Sequence, residues 1–225
     1  MTMITIVIPT FNRAEFILET IESCLAQTYS ATEIIVVDDG STDNTEEIVK
    51  KLPVTYIKKE NGGVATARNL GIKNAKTKYV LPLDSDDTLD KDYLKSMFDA
   101  MDNKDNRVVS TWIKKIYTNG TFEDICWPQP PKNIFNENFA SSCSLFSKSA
   151  WEKIGGYDEN RQLMGWEDWE FYIRLYQNGC EFKIIEKHLF NYRIHNGPTI
   201  SRNYLKDRAR LREYMSKKHN IYYMY

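Results

Sequence analysis

Tyr79-Val80-Leu81-Pro82-Leu83 runs directly into Asp84-Ser85-Asp86-Asp87. A short apolar run that stops at a polar turn has the pattern of a buried strand. Carboxylates crowded at its carboxyl end repel one another and lose hydration, so something positive is expected among them. A hard divalent cation, sharing its oxygen ligands between protein carboxylates and a substrate phosphate, meets that need. A solvated acidic turn that caps the next helix is the plainer alternative, and the tetrapeptide alone leaves both open.

Upstream the same arrangement repeats. Ile4-Ile8 is an apolar strand ended by Pro9, after which Asn12 with Glu15 forms a capping-box pattern. Ile17, Leu18, Ile21, Cys24 and Leu25 then give one apolar helical face. Glu33-Val37 is a second buried strand, stopped at Asp38-Asp39-Gly40, with Ser41 to Asp43 placed to cap a helix through Val49. Val54-Lys58 is a third strand, and Asn61-Gly62-Gly63 turns into a helix carrying Ala67, Leu70 and Gly71. Strand–helix alternation with short links predicts a mainly parallel sheet covered on both faces. Ligands of such sheets bind beyond the carboxyl ends of the strands, where these acidic pairs lie.

The second half is less regular. Asp90 is placed to cap a helix through Met101; Arg107-Trp112 and Lys114-Tyr117 read as strands, and Asn119-Gly120 as a hairpin turn before Thr121-Cys126. A proline-rich loop, Trp127 to Pro131, precedes a short strand at Cys143-Phe146 and a helix at Lys148-Ile154 closed by Gly155-Gly156. Trp166 to Gln177 is a periodic helix ended by Gly179, Phe182-Ile185 and Leu189-Ile194 are extended, and Tyr204-Lys218 is a basic amphipathic tail.

Composition narrows the function. The 225 residues suffice for one substantial core, and no repeat or linker divides them. A net charge of −1 draws the chain to neither nucleic acid nor an anionic membrane. Mean hydropathy is −0.53, and no apolar run approaches the roughly 20 residues of a spanning helix. Met1-Thr2-Met3 carries no charge and no cleavage site follows, unlike a signal peptide. Cys24, Cys126, Cys143 and Cys180 form no C-x-x-C pair and are expected as free thiols in a reducing cytoplasm. Dinucleotide and nucleoside-triphosphate loops are both missing, since Pro9-Thr10-Phe11-Asn12 follows the first strand.

Five motifs in order carry a resemblance: Ile8-Pro9-Thr10-Phe11-Asn12-Arg13, Val37-Asp38-Asp39-Gly40-Ser41-Thr42-Asp43, Asn61-Gly62-Gly63-Val64-Ala65-Thr66-Ala67-Arg68-Asn69, Asp84-Ser85-Asp86-Asp87 and Gly165-Trp166-Glu167-Asp168. Together they resemble family 2 glycosyltransferases. That resemblance implies the GT-A fold: a single α/β domain with a Rossmann-like, mainly parallel central sheet flanked by helices, and a smaller acceptor-side sheet. Residues 1–103 would form the nucleotide-sugar half, 104–200 the acceptor half and 201–225 a basic tail. The implied reaction moves a sugar from a nucleotide-diphospho-sugar, usually a UDP-sugar, to a hydroxyl with inversion. The implied setting is bacterial surface polysaccharide built on saccharide or lipid-linked saccharide acceptors.

Roles follow residue by residue from the resemblance. Asp38 or Asp39, with Asp39 favoured, reads the base, beside Pro9, Thr10, Asn12 and Arg13; a helix-capping turn is the structural alternative. Gly62 permits close backbone approach, and Arg68 reaches either a phosphate or the acidic cluster. Asp84 or Asp86 bonds the ribose near Ser85, with Asp86 or Asp87 on Mn²⁺ or Mg²⁺. Asp168 is the general base, with Glu167 positioning the acceptor and Trp166 offering it a flat face; Trp169 is assigned to the core. Tyr192-Arg193-Ile194-His195 with Ser201 resembles the family's carboxyl-terminal segment, and gives His195 a metal or diphosphate contact. The tail offers peripheral contact at the cytoplasmic face of a membrane, or packs as a plain terminal helix. The competing reading is a catalytically silent GT-A fold that binds nucleotide-sugar or a partner without transfer.

Overall fold

The computed structural model describes residues 3–29, 32–126, 134–135, 137–195 and 208–220. The proline-rich loop at Trp127 to Pro131, Ser201 and both ends of the tail lie outside them. In chain order the elements are β1 (Ile4–Thr10), α1 (Ile17–Leu25), β2 (Thr32–Asp38), α2 (Thr45–Val49), β3 (Thr55–Lys58), α3 (Val64–Asn74), β4 (Tyr79–Pro82) and β5 (Thr88–Leu89). There follow α4 (Tyr93–Met101), β6 (Arg107–Tyr117), β7 (Phe122–Ile125), β8 (Leu145–Ser147), α5 (Lys148–Lys153), α6 (Glu167–Gln177), β9 (Glu181–Ile194) and α7 (Arg208–His219).

The strands form one sheet in the order β3-β2-β1-β4-β8-β6-β9-β5, with β7 on β6. Strands β3, β2, β1 and β4 are parallel, and β8 joins β4 antiparallel. Through β8 the strands β6, β9 and β5 continue the same sheet, so the expected smaller second sheet is joined to the first. Alternation along β1 explains its two covered faces: Ile4, Ile6 and Ile8 enter one core with α1 and α4, while Val7 enters the other with α3, α5 and α6. All four carboxyl ends of the parallel set therefore open on one edge, and this edge carries Thr10, Asp38 and the turn after β4.

Gly71 shows how closely α3 rides on that sheet. A Cβ there would lie 2.3 Å from Val7 Cγ1 and 3.1 Å from Val37 Cγ2. Overpacking against two stiff β-branched side chains costs about 1–3 kcal/mol, more than the roughly 1 kcal/mol that alanine gains in helix propensity. Gly71→Ala is expected to lower the urea midpoint, and an unchanged midpoint would show that the sheet yields there.

Several sequence expectations shift. Asn12 does not cap α1: it has φ 51°, and the helix starts at Ile17 with no side-chain cap. Instead Asn12 Oδ1 accepts from Thr42 N at 2.8 Å and Asn12 N donates to Ser41 Oγ at 2.9 Å, tying the turn after β1 to the turn after β2. Asp43 accepts from Thr45 N at the start of α2, at 3.1 Å. Asp90 accepts from Asp92 N, and α4 begins at Tyr93. Arg107–Tyr117 and Glu181–Ile194 are each one continuous strand: Thr111, Trp112 and Ile113 pair Ile185, His188 and Phe190, so that Glu186, Lys187 and Leu189 bulge out without ending the ladder.

The tail packs. Leu211 and Met215 of α7 are buried, and Tyr214 OH donates to Asp158 Oδ2 at 2.9 Å. Lys218 Nζ pairs with Asp158 and, at 2.7 Å, with Glu170 Oε1, where His219 Nε2 also lies at 3.2 Å. Of the apolar tail positions, Leu211 is thus buried and Tyr214 half-buried against the protein itself, while Tyr204, Leu205 and Ile221 to Tyr225 lie outside the described residues. Among the described residues no helix is long and apolar enough to cross a membrane.

Candidate active site

A cleft of about 1440 Å³ runs along the strand-tip edge, lined by Thr10, Arg13, Asp39, Asp84 and Asp86 together with Asn138, Ser142, Glu167, Asp168 and Lys115. Parallel strands end there in carboxylates, and each is held by a different device.

Asp39 follows β2 and is nearly buried. Its Oδ1 accepts from Gly62 N at 2.9 Å and from Lys59 Nζ at 2.5 Å, while Oδ2 accepts from Gly63 N at 2.7 Å. Gly63 has φ +99°, which an L side chain rarely adopts. The glycine turn thus wraps its backbone donors around one carboxylate. Beside it the Thr10 hydroxyl is buried without a partner among the described residues. Asp38, the neighbour one residue back, faces away from the cleft: it accepts from Ser41 N at 2.7 Å and from the Tyr56 hydroxyl at 2.5 Å. Burial and this carboxylate push the Tyr56 phenol up.

The turn after β4 divides its carboxylates likewise. Asp84 Oδ1 accepts from Arg68 Nη2 at 2.7 Å and Oδ2 from Ser142 Oγ at 3.2 Å. Asp86 Oδ2 meets Arg13 Nε and His195 Nε2, each at 3.1 Å. The His195 ring also lies against Phe16, with centroids 4.8 Å apart. Asp87, expected as a candidate metal ligand, is fully buried and off the cleft, and its Oδ1 accepts from Arg193 N at 2.8 Å. Burial, then repulsion by Asp86 and Asp84, raises its carboxyl well above the usual range. Its other oxygen, Oδ2, is buried without a partner among the described residues.

At the same cleft, α6 opens with Glu167 and Asp168. Glu167 Oε1 accepts from Arg68 Nη1 at 2.9 Å and Oε2 from Gly165 N at 2.6 Å. Asp168 Oδ2 accepts from Asn138 Nδ2 at 3.2 Å, and Oδ1 from Trp169 N at 2.8 Å. Burial first, then repulsion by Glu167, lifts Asp168 from the usual carboxyl range to about 7, against the pull of Arg68. Trp166, expected at the acceptor, is half-buried, packs against the edge of the core and meets Trp169 with ring centroids 4.9 Å apart. Trp169 is buried as expected, its indole N–H donating to Ile134 O at 2.7 Å.

Pro9, Asn12, Arg13 and Ser85 line the cleft, as do Asp39, Asp84, Asp86, Arg68, Glu167, Asp168 and His195. Gly62 contributes through its N–H on Asp39. Lys59, Asn138, Ser142 and Lys115 were not singled out from sequence. Each stands outside the recognisable motifs, and only the folding of β3 and β6 and the residues before β8 brings them to the strand tips.

For a divalent cation, the cleft offers the Asp86 carboxylate with the His195 imidazole beside it. No cluster of three or more His, Cys, Asp or Glu ligands exists among the described residues. Mg²⁺ is commonly held by one or two carboxylates plus substrate phosphates and water, so this donor set fits a cation completed by a diphosphate.

The comparisons with known proteins agree with this architecture. The model of Glycosyl transferase family 2 matches residues 5–155, and that of the N-terminal domain of galactosyltransferase matches residues 128–196. An uncharacterized glycosyltransferase of Rickettsia felis is 40% identical over 192 residues, covering 70% of this chain and 32% of that protein. Chondroitin synthase of Pasteurella multocida is 29% identical over 210 residues, covering 89% of this chain and 22% of the synthase. The chain therefore spans about a fifth to a third of these two relatives. The crystal structure of S. aureus TarS 1–349 in complex with UDP-GlcNAc superposes with a TM-score of 0.72 at 24% identity, over 88% of this chain and 60% of TarS 1–349, a likeness of fold. The family match begins in β1, crosses all four parallel strands and ends at the glycines after α5, and on that extent the chain belongs to glycosyl transferase family 2.

Proposed function

We propose that this chain transfers a sugar, with inversion, from a UDP-sugar to a hydroxyl of a saccharide or lipid-linked saccharide, in the assembly of a surface polysaccharide. The observation that carries the reading is one cleft holding both the strand-tip carboxylates and a carboxyl raised to about 7. A general base works best with its pKa near the working pH. The chondroitin synthase relative and the UDP-GlcNAc complex of TarS support the donor and acceptor classes.

In this reading residues 1–103 hold the donor and 104–200 the acceptor. Asp39 and the Thr10 hydroxyl face the base, Asp39 being fixed by the Gly62 and Gly63 N–H groups. Asp84 bonds the ribose. Arg13 and His195, both on Asp86, lie on the diphosphate side. Asp168 takes the acceptor proton as the hydroxyl oxygen bonds the anomeric carbon, and the bond from that carbon to the diphosphate oxygen breaks with its electron pair on the diphosphate. Asn138 holds the Asp168 carboxylate for this task. Asp86 and His195 would hold Mn²⁺ or Mg²⁺, which supplies Lewis-acid neutralisation of the diphosphate. Asp38 and Asp87 support the turns.

A thermal-shift panel of UDP, dTDP, GDP and CDP, with and without Mn²⁺, tests the donor assignment. A ligand at 100 times its dissociation constant stabilises by about 2.7 kcal/mol, or roughly 5–11 °C for a chain of this size. UDP with Mn²⁺ is expected to give that rise, and UDP-sugars to release UDP. No rise with any nucleotide and no UDP release would favour the silent fold.

A further inference from the structure

Arg68 is 2% exposed, yet it lines the cleft. From α3 its two terminal nitrogens bridge two carboxylates: Nη2 reaches Asp84 Oδ1 at 2.7 Å and Nη1 reaches Glu167 Oε1 at 2.9 Å. The guanidinium lies over the Tyr157 ring, 5.5 Å from its centroid, and Nε is buried without a partner among the described residues. Glu167 passes the constraint on, because its other oxygen takes Gly165 N at 2.6 Å, in the turn where Gly165 has φ +89°. One enclosed cation thus ties the β4 turn, α3 and the first turn of α6 together.

We infer that Arg68 is the positioning residue of this site, locking the start of α6 to the donor-side strand tip and supplying the positive charge beside Asp168, with no direct part in binding the diphosphate. The inference rests on the reading of Asp168 as base. Its geometry explains why a fully enclosed arginine stands where the sequence leaves a phosphate contact open: both terminal nitrogens are already engaged by carboxylates. A buried guanidinium between two carboxylates is held in place by charge on both sides, and removing it leaves those carboxylates facing each other.

The charges around Asp168 give the signs. Glu167 precedes it on α6, Arg68 approaches from α3, Asp84 from the β4 turn, and the Tyr157 and Tyr172 phenols and the Asn138 amide complete its surroundings. Burial and Glu167 raise its carboxyl, and Arg68 lowers it. Arg68→Met removes the cation and should move the Asp168 midpoint up. Glu167→Gln removes the nearest anion and should move it down. Opposite-charge and like-charge neighbours at such range shift a carboxyl by roughly one pH unit or more.

The test is a carbon-13 NMR titration of carboxyl-labelled aspartate in the full chain, with the Asp168 signal assigned by its loss in Asp168→Asn. The expected result is a native midpoint near 7, raised by about one unit in Arg68→Met, lowered in Glu167→Gln and partly restored in Arg68→Lys. UDP release from UDP-glucose or UDP-GlcNAc should show an acid limb that moves the same way, whereas a merely structural role would lower its amplitude and leave the limb in place. If Arg68→Met does not fold, Glu167→Gln carries the test with the opposite sign. Donor turnover that survives in Asp168→Asn would take down the base reading and the inference with it. Turnover lost in Asp168→Asn, with the Asp168 midpoint unmoved in the charge variants, would overturn the inference alone.

Discussion

Asp168→Asn is expected to lower kcat for sugar transfer by about 10²–10⁴-fold, the range a positioned general base contributes. UDP binding should be nearly unchanged, because the strand-tip groups Thr10, Asp39 and Asp84 are untouched. The pH dependence is the sharper sign. On the proposed reading Asp168 acts as its carboxylate, and its carboxyl is raised to about 7 by burial and Glu167. In native protein kcat/KM should therefore fall about tenfold per pH unit below 7 and level off above it, as for a single essential base. The asparagine variant should lose that limb.

Stability runs the other way. A carboxyl raised in the folded state contributes stability that is fully present below its unfolded pKa, about 3.9, and is lost as pH rises through about 7. Asparagine cannot ionise, so at pH 8 the inactive variant should unfold at a temperature equal to or above that of native protein. Activity retained at pH 8 in Asp168→Asn would remove the residue from the chemistry. A variant both inactive and strongly destabilised would mean that the side chain holds the fold instead.

The parallel half of the fold is legible because its signals are local. Ile4-Ile8, Glu33-Val37 and Tyr79-Leu83 are apolar runs that stop at turns, and the links between them are short, so the strand tips and their carboxylates follow directly from the residue pattern. Which carboxylate faces the cleft is not local. Asp38 and Asp39 are adjacent and chemically identical, and only the return of the Gly62-Gly63 turn over Asp39 and the contact of Tyr56 with Asp38 separate them. Asp86 and Asp87 divide for the same reason, through His195 on one and the Arg193 N–H on the other. Trp166 misleads because a tryptophan beside an acidic pair suits a sugar ring, yet here Trp169 offers it a partner in the core. The basic tail leaves two readings open, and the burial of Leu211 and Met215 agrees with the packed helix, which composition cannot single out because it depends on where α7 meets the rest of the chain.

The same α6 that begins with Glu167 and Asp168 is anchored two residues later, at Glu170. This carboxylate is fully buried and serves three cationic or imidazole groups: Arg174 at 2.8 and 2.6 Å, Lys218 at 2.7 Å and His219 Nε2 at 3.2 Å. Glu170→Ala leaves those groups around an emptied centre, and breaking a buried pair from one side costs about 3–5 kcal/mol. Arg174 keeps its bonds to the Ile154 and Gly156 carbonyls and Lys218 keeps Asp158, which places the expected loss toward the lower figure. Burial opposes the charge, but His219, Arg174 and Lys218 together hold Glu170 down at about 2. A depressed carboxyl contributes stability that is present above its unfolded pKa, near 4.3, and lost as pH falls toward about 2. The gap between native and variant in urea unfolding should therefore be full at pH 7 and narrow as pH drops through that window. A gap equal at pH 7 and pH 3 would assign the loss to packing alone. A gap below about 1 kcal/mol at pH 7, the scale of an exposed pair, would mean that α7 is not held through Glu170, and that the helix carrying the proposed base is seated by its apolar face without the tail.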